Sequence, residues 1–168
     1  PQWECFVSAT SETGFELAKN IFAEKTDVFY CPLDFTCPVS RAFKRIKPTD
    51  LVLVELELWP TLIRVAHLRN VTVSIVNGRM SDRSFKRYRL VKFALANSFR
   101  RVALVAAQDE YAARFFREIS PCPERVTVAG SIKFDGVKTR RDDPETVRLA
   151  KLAGYRDQDV LFLAGSTQ

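Results

Sequence analysis

Histidine is almost absent from this chain: His67 is the only one in 168 residues. It sits inside an amphipathic stretch without an HExxH context, so a histidine-based metal site and a Ser-His-Asp triad are both disfavoured, and it reads as a helix-face residue. Glycine is sparse as well. The six glycines, at positions 14, 78, 130, 136, 154 and 165, form neither GxGxxG nor GxxxxGK[ST], which argues against a dinucleotide or P-loop nucleotide site in this stretch. Cys5, Cys31, Cys37 and Cys122 show no CxxC spacing and are too few for a disulfide framework, so they read as reduced thiols of a cytosolic protein. Long hydrophobic runs are lacking too. The longest, "LVLV" and "VALVAA", fall far short of the roughly 18 residues of a membrane-spanning helix. There is no initiator Met and no signal peptide, and "PQWECFVSAT" already reads as a strand, so residue 1 is expected to be a fragment boundary.

What is present is charge of one sign and a regular alternation. A formal charge of +6 and a pI near 9.3 point to an acidic partner: nucleic acid, anionic lipid or a phosphorylated substrate. With 46% apolar residues the chain can fill one core, or one domain and the start of another. Short β-rich runs ("ECFVSAT", "DVFY", "DLVLVEL", "VTVSIV", "VALVAA", "RVTVAG", "DVLFLAG") alternate with segments of helical period such as Val39, Phe43, Ile46 and Tyr111, Phe115, Ile119. Near-continuous apolar strands in βαβα order predict an α/β fold: a Rossmann-like open parallel sheet with helices on both faces.

Helix starts are marked by Ser11 with Glu12, by Pro60, by Ser81-Asp82 and by Asp109-Glu110, and each mark follows a strand. Strand carboxyl ends and helix amino ends therefore gather on one edge, where open α/β sheets place their ligand crevice. "VELELWPTLIR", residues 54 to 64, puts Glu55 and Glu57 at the end of the apolar run Leu51–Val54, in a strand that reads as central. An ionised carboxylate is costly to bury. Either these two face the crevice, or one caps the helix beginning at Pro60 or pairs with an arginine, and residue chemistry alone leaves both readings open.

Residues 79 to 101, "RMSDRSFKRYRLVKFALANSFRR", hold eight basic residues against one acid. Arg79, Arg83, Lys86 and Arg87 are expected on one helix face, with Phe85, Leu90, Val91, Phe93 and Leu95 supplying apolar surface. A solvated basic face is the plain reading; docking on an anionic membrane surface or on a nucleic-acid backbone is the functional one. Nucleic acid is the weaker choice, because aromatics are not interleaved with the basic residues on a β-surface. "DGVKTRRDDPE", residues 135 to 145, reads as a linker, followed by a helix-like stretch and a strand ending in "AGST", whose turn would open a phosphate-cradling helix.

"ELELWP", "NGRMS" followed by a basic helix, "AAQDE" and "VTVAGSIKFD", in this order, resemble the Kdo transferases of lipopolysaccharide biosynthesis, and "VSATSETGFELA" resembles their second strand and helix. Where the family reads Glu-Thr-Glu-Leu-Trp-Pro-Asn this chain has Leu56 and Thr61, and where it reads Asn-Ala-Arg-Leu-Ser this chain has Gly78 and Met80. Gln168 stands where the family has His. The resemblance implies the amino-terminal half of a GT-B glycosyltransferase. Residues 1–136 would be an acceptor-binding Rossmann-like domain lacking its first strand and loop, and residues 137–168 a linker with the truncated start of the donor domain.

The resemblance also implies transfer of Kdo from CMP-Kdo to a lipid A precursor, with inversion, at the cytoplasmic face of the inner membrane, with no cofactor, no metal and no nucleic acid. In that reading Glu55 and Glu57 hold the acceptor hydroxyl or orient the site, and the general base, in a Gly-Glu motif, lies before residue 1. Arg79 and Lys133 neutralise acceptor phosphates or the Kdo carboxylate, Trp59, Asn77, Ser166 and Thr167 bind substrate, and Arg83, Lys86 and Arg87 meet the anionic surface. The fragment itself is expected to fold without turning over. Two alternatives stand beside it: a non-catalytic basic Rossmann-like module that binds anionic lipid or nucleic acid, and a GT-B transferase with another acceptor.

Overall fold

The computed structural model describes residues 3–56, 58–135, 140 and 142–155. Helices and strands alternate from the start: β1 (Phe6–Ala9), α1 (Glu12–Phe22), β2 (Asp27–Tyr30), α2 (Thr36–Ile46), β3 (Asp50–Val54), α3 (Pro60–Leu68) and β4 (Thr72–Gly78). Two consecutive helices, α4 (Asp82–Leu90) and α5 (Lys92–Arg100), then precede β5 (Leu104–Ala107), α6 (Glu110–Ile119) and β6 (Val126–Val128). The chain divides into two units, Pro1–Gly130 and Ser131–Gln168. The second holds a 3-10 turn at Ile132–Phe134 and α7 (Pro144–Leu152), capped by Asp143. The seventh β-run, 159–165, lies outside the described residues, as do positions 136–139 and 141 of the linker.

All strand pairs are parallel, as the apolar runs predict, and the sheets are flanked by helices. The described residues form two sheets instead of one: β1 with β2, and β3-β4-β5-β6. This corrects the placing of β3, which reads as central in sequence but is the edge of the four-stranded sheet. Its apolar run is consistent with that only on one side. Leu53 is 5% exposed and belongs to the core, whereas Val52 and Val54, pointing to the other face, are 56% and 48% exposed.

Three of the four predicted helix starts are working side-chain caps. The Ser11 hydroxyl accepts from the Gly14 N–H at 3.1 Å, Ser81 from the Ser84 N–H at 3.3 Å, and Asp109 from the Ala112 N–H at 2.7 Å. Pro60 occupies the first turn of α3, where its missing N–H costs nothing. The core is built from α2, α3, α5, α6 and the four-stranded sheet, with Val39, Ile63, Ile75, Phe99 and Phe116 buried most completely. Of the two periodic sets, Val39 and Phe43 are buried with Ile46 half-buried, and Phe115 and Ile119 are buried; Tyr111 is exposed. His67 is exposed on the last turn of α3, as a helix-face residue should be.

Candidate active site at the strand carboxyl ends

The ladder of the four-stranded sheet does not stop at the last strand residues. The Glu55 N–H donates to the Val76 carbonyl at 3.0 Å, the Gln108 N–H to Gly78 at 2.9 Å, and the Ala129 N–H to Ala107 at 2.9 Å. These bonds carry Glu55, Asn77-Gly78 and Gln108 into one row along the sheet's carboxyl edge. Between Ile75 and Gly78 the β4–β5 register shifts by one residue, a bulge that holds Asn77.

Two members of this row have left-handed backbones: Glu55 at φ 62° and Asn77 at φ 53°. Lys47 and Asn70, also left-handed, end helices α2 and α3, where that conformation is the ordinary terminator. Asn77 sits in the bulge of β4, which accommodates a left-handed backbone, whereas Glu55 directly follows the last residue of β3, where no helix needs terminating. Asparagine tolerates it, but for glutamate it costs roughly 1–2 kcal/mol, and strain of this kind collects at functional sites. Asn77 is buried and Glu55 exposed, and among the described residues the Glu55 carboxylate has no hydrogen-bond or ion-pair partner.

The capping alternative fails for Glu55 because another residue holds that post. Asp34, in the loop between β2 and α2, accepts from the Thr61 N–H at 3.1 Å and from the Leu62 N–H at 2.7 Å, and so caps α3 from outside. Sequence reasoning missed Asp34, since only its place between a strand and the next helix start hinted at it. Glu57 lies outside the described residues. Trp59, at the N-cap position of α3, is half-buried and packs on the core, so its environment is that of a structural aromatic.

Gly78 is where the edge is tightest. A Cβ there would meet a Phe116 ring carbon at 3.1 Å and the Ala106 carbonyl oxygen at 3.3 Å. The next residue, Arg79, is exposed, while Met80 is buried and pins the segment to the core.

Arg79 does not share the helix face expected for it, because the Ser81 cap starts α4 only at Asp82. Arg83, Lys86 and Arg87, at i, i+3 and i+4, do share one face and are exposed. The helix is held by Phe85, which stacks on Phe115 with ring centroids 4.4 Å apart, and by the Tyr111 hydroxyl, which donates to Asp82 at 2.7 Å. That bond raises the Tyr111 pKa above the usual phenol value. The only acid of the segment is thus engaged by a phenol, and among the described residues the cations Arg79, Arg83, Lys86 and Arg87 have no carboxylate partner. At the break between α4 and α5, Leu90 and Phe93 stand 82% and 85% exposed beside half-exposed Val91.

Lys133 is exposed in the 3-10 turn of the second unit, and Ser166 and Thr167 lie outside the described residues. One cleft of the first unit lies elsewhere, lined by Phe43, Lys44, Lys47, Pro48, Arg69 and Val71. Its cations sit at the carboxyl ends of α2 and α3, where they answer the helix dipoles. We therefore place the site at the strand carboxyl edge instead. Among the described residues no group of three potential metal ligands occurs, and no helix is long and apolar enough to cross a membrane.

The family described as 3-deoxy-D-manno-octulosonic-acid transferase (kdotransferase) matches residues 1–136. The chain belongs to this family. It is 34% identical over 164 residues to a bifunctional glycosyltransferase/methyltransferase of Fusobacterium nucleatum, covering 96% of this chain and 26% of that protein. It is 33% identical over 123 residues to the 3-deoxy-D-manno-octulosonic acid transferase of Haemophilus influenzae, covering 73% of this chain and 29% of the relative. The corresponding transferase of Chlamydophila psittaci is 31% identical over 164 residues, 97% of this chain and 38% of the relative. The chain thus spans between about a quarter and two fifths of the length of these relatives.

Proposed function

We propose that the protein to which this chain belongs transfers Kdo from CMP-Kdo to a lipid A precursor, and that this chain supplies the acceptor side of the site. The observation that carries the reading is Glu55: a strained, exposed carboxylate without a partner among the described residues, at a strand carboxyl end beside buried Asn77, which exposed Arg79 follows two residues later, in a chain of the Kdo transferase family. In the proposed step the acceptor hydroxyl oxygen bonds to the anomeric carbon of Kdo with inversion. The bond from that carbon to the CMP phosphate oxygen breaks, and the hydroxyl proton passes to a carboxylate base. Glu55 and Glu57 orient the hydroxyl. Arg79 answers the acceptor phosphates or the Kdo carboxylate, and Asn77 and Trp59 shape the site; for Lys133, Ser166 and Thr167 we propose the substrate-binding roles that the family resemblance implies.

The acceptor is amphiphilic, and the α4–α5 segment suits the surface that holds it. Arg83, Lys86 and Arg87 form an uncompensated basic face, and Leu90, Val91 and Phe93 project at the helix break, the pairing of cation and apolar tip that favours an anionic leaflet. We place this surface at the cytoplasmic face of the inner membrane. Residues 1–136 are proposed as the acceptor-binding domain, and β3, at the end of the four-stranded sheet, is where a further strand of the protein would pair. Residues 1–168 alone are proposed to be inactive, because the sugar nucleotide must be held by a donor domain of which they carry only a part.

The test is Glu55→Gln in the full-length protein, assayed with CMP-Kdo and a lipid A precursor. A fall in turnover of about 10²-fold is expected. Near-normal turnover in both Glu55→Gln and Glu57→Gln would remove these carboxylates from the site.

A further inference from the structure

The cleft lined by Phe43, Lys44, Lys47, Pro48, Arg69 and Val71 lies at the opposite end of the four-stranded sheet from the row that holds Glu55. Lys47 and Pro48 precede β3, and Arg69 and Val71 precede β4, so it opens at the strand amino ends. Its floor is apolar: Phe43 and Val71 are buried and Pro48 is half-buried. Lys44, Lys47 and Arg69 are exposed around that floor, and among the described residues none of them has a carboxylate partner. The acid next along the chain, Asp50, accepts from the Thr49 hydroxyl at 2.8 Å and does not line the cleft.

Helix dipoles account for only part of this charge. The carboxyl ends of α2 and α3 each present about half a negative charge against three full positive ones, which leaves an excess of about two. Lys47 carries a further cost, since it ends α2 with a left-handed backbone at φ 51°. After α3 the same kind of turn is made by Asn70, a residue type that adopts it readily; lysine does not. A lysine kept in that turn, beside two other cations and over an apolar floor, supplies charge where the fold alone asks for less.

We propose that this cleft binds the phosphate monoester of a small soluble molecule, with the phosphate held by Lys44, Lys47 and Arg69 and an apolar or planar body resting on Phe43, Pro48 and Val71. A phosphate monoester is close to doubly charged at neutral pH, which matches the excess, and a guanidinium can meet two of its oxygens at once. The cleft volume of about 310 Å³ falls at the lower end of small-molecule pockets. The site stands apart from the transferase reading, whose residues gather at the strand carboxyl ends.

The test titrates full-length protein with phenyl phosphate, and with inorganic phosphate for comparison, by calorimetry near neutral pH. Phenyl phosphate is expected to bind with a Kd below about 1 mM and at least about tenfold more tightly than inorganic phosphate, because its ring covers the apolar floor. Lys47→Asn, which suits the left-handed turn, and Arg69→Gln should each weaken that binding at least about tenfold, with melting temperatures near the wild type. Arg79→Gln, at the other end of the sheet, should leave it unchanged. Absence of phenyl phosphate binding at about 10 mM, binding undiminished in both cleft variants, or binding lost in Arg79→Gln would overturn the proposal. Binding lost together with a large fall in melting temperature in both cleft variants would make these cations structural and overturn it as well. Phosphatidic acid vesicles and a tetraglutamate peptide complete the series. If either binds through Lys47 and Arg69 more tightly than phenyl phosphate, the cleft reads a lipid headgroup or an acidic partner, and the proposal of a soluble phosphate ester falls.

Discussion

Replacing Asp34 by alanine separates two carboxylates that look alike in sequence and differ in task. The Asp34 side chain accepts two of the otherwise unpaired N–H groups at the start of α3, those of Thr61 and Leu62, and it does so from a loop 27 residues away from the first of them. An ordinary N-cap is worth about 0.5–2 kcal/mol, and a hydrogen bond to an ionised group about 1.5–3 kcal/mol. Both bonds are partly buried, and α3 carries Leu62, Ile63, Val65 and Ala66 into the core, so fraying there cannot stay local. We expect Asp34→Ala to cost about 2 kcal/mol, a drop of ~4–8 °C in melting temperature for a chain of this size. Asp34→Asn keeps one acceptor oxygen and should lose about half as much. Glu55→Gln, at an exposed residue without a partner among the described residues, should stay within about 0.5 kcal/mol of the wild type. Urea denaturation of the three variants reads this directly. A loss below about 0.5 kcal/mol in Asp34→Ala, or an equal loss in Glu55→Gln, would refute the assignment of the cap.

Gly78→Val should destabilise by about 1–3 kcal/mol, because its Cβ would press on the Phe116 ring and the Ala106 carbonyl and its methyls have no free volume; a change within 0.5 kcal/mol by urea unfolding would contradict the tight packing. The Tyr111 phenol should ionise above the usual tyrosine range and return toward it in Asp82→Asn, followed by ultraviolet absorbance against pH. Its pKa is raised in the folded state, so the stabilisation it gives α4 is complete below the ordinary phenol pKa and is lost as pH rises through the raised one. Reversing Arg83, Lys86 and Arg87 to glutamate should abolish binding to vesicles containing anionic lipid A precursor, and in the wild type that binding should weaken with salt; salt-independent binding by both proteins would discard the basic face as the contact.

Local chemistry explains why the helix starts could be read from the sequence. Ser11, Ser81 and Asp109 each cap within three residues of themselves, so the competing conformations are decided by neighbours already in view. Apolar periodicity likewise placed Val39, Phe43, Phe115 and Ile119 inward, since burial of a helix face needs no knowledge of what covers it. Arg79 was misplaced for the converse reason. The basic period runs through it without interruption, and only the geometry of the Ser81 cap shows that the helix has not yet begun.

What could not be read is whatever depends on partners distant in the chain. An apolar run such as Leu51–Val54 has the same composition in a central strand and in an edge strand with one covered face, so the position of β3 required the pairing itself. The Asp34 cap is invisible for the same reason. The left-handed turn at Glu55 is a third case, and it bears on function. Local preference would place glycine or asparagine there, as it places Asn77 one strand over, and a glutamate is retained at a cost. With Asp34 already capping α3, helix capping does not account for that cost. What distinguishes the position is the exposed carboxylate it holds at the strand carboxyl edge.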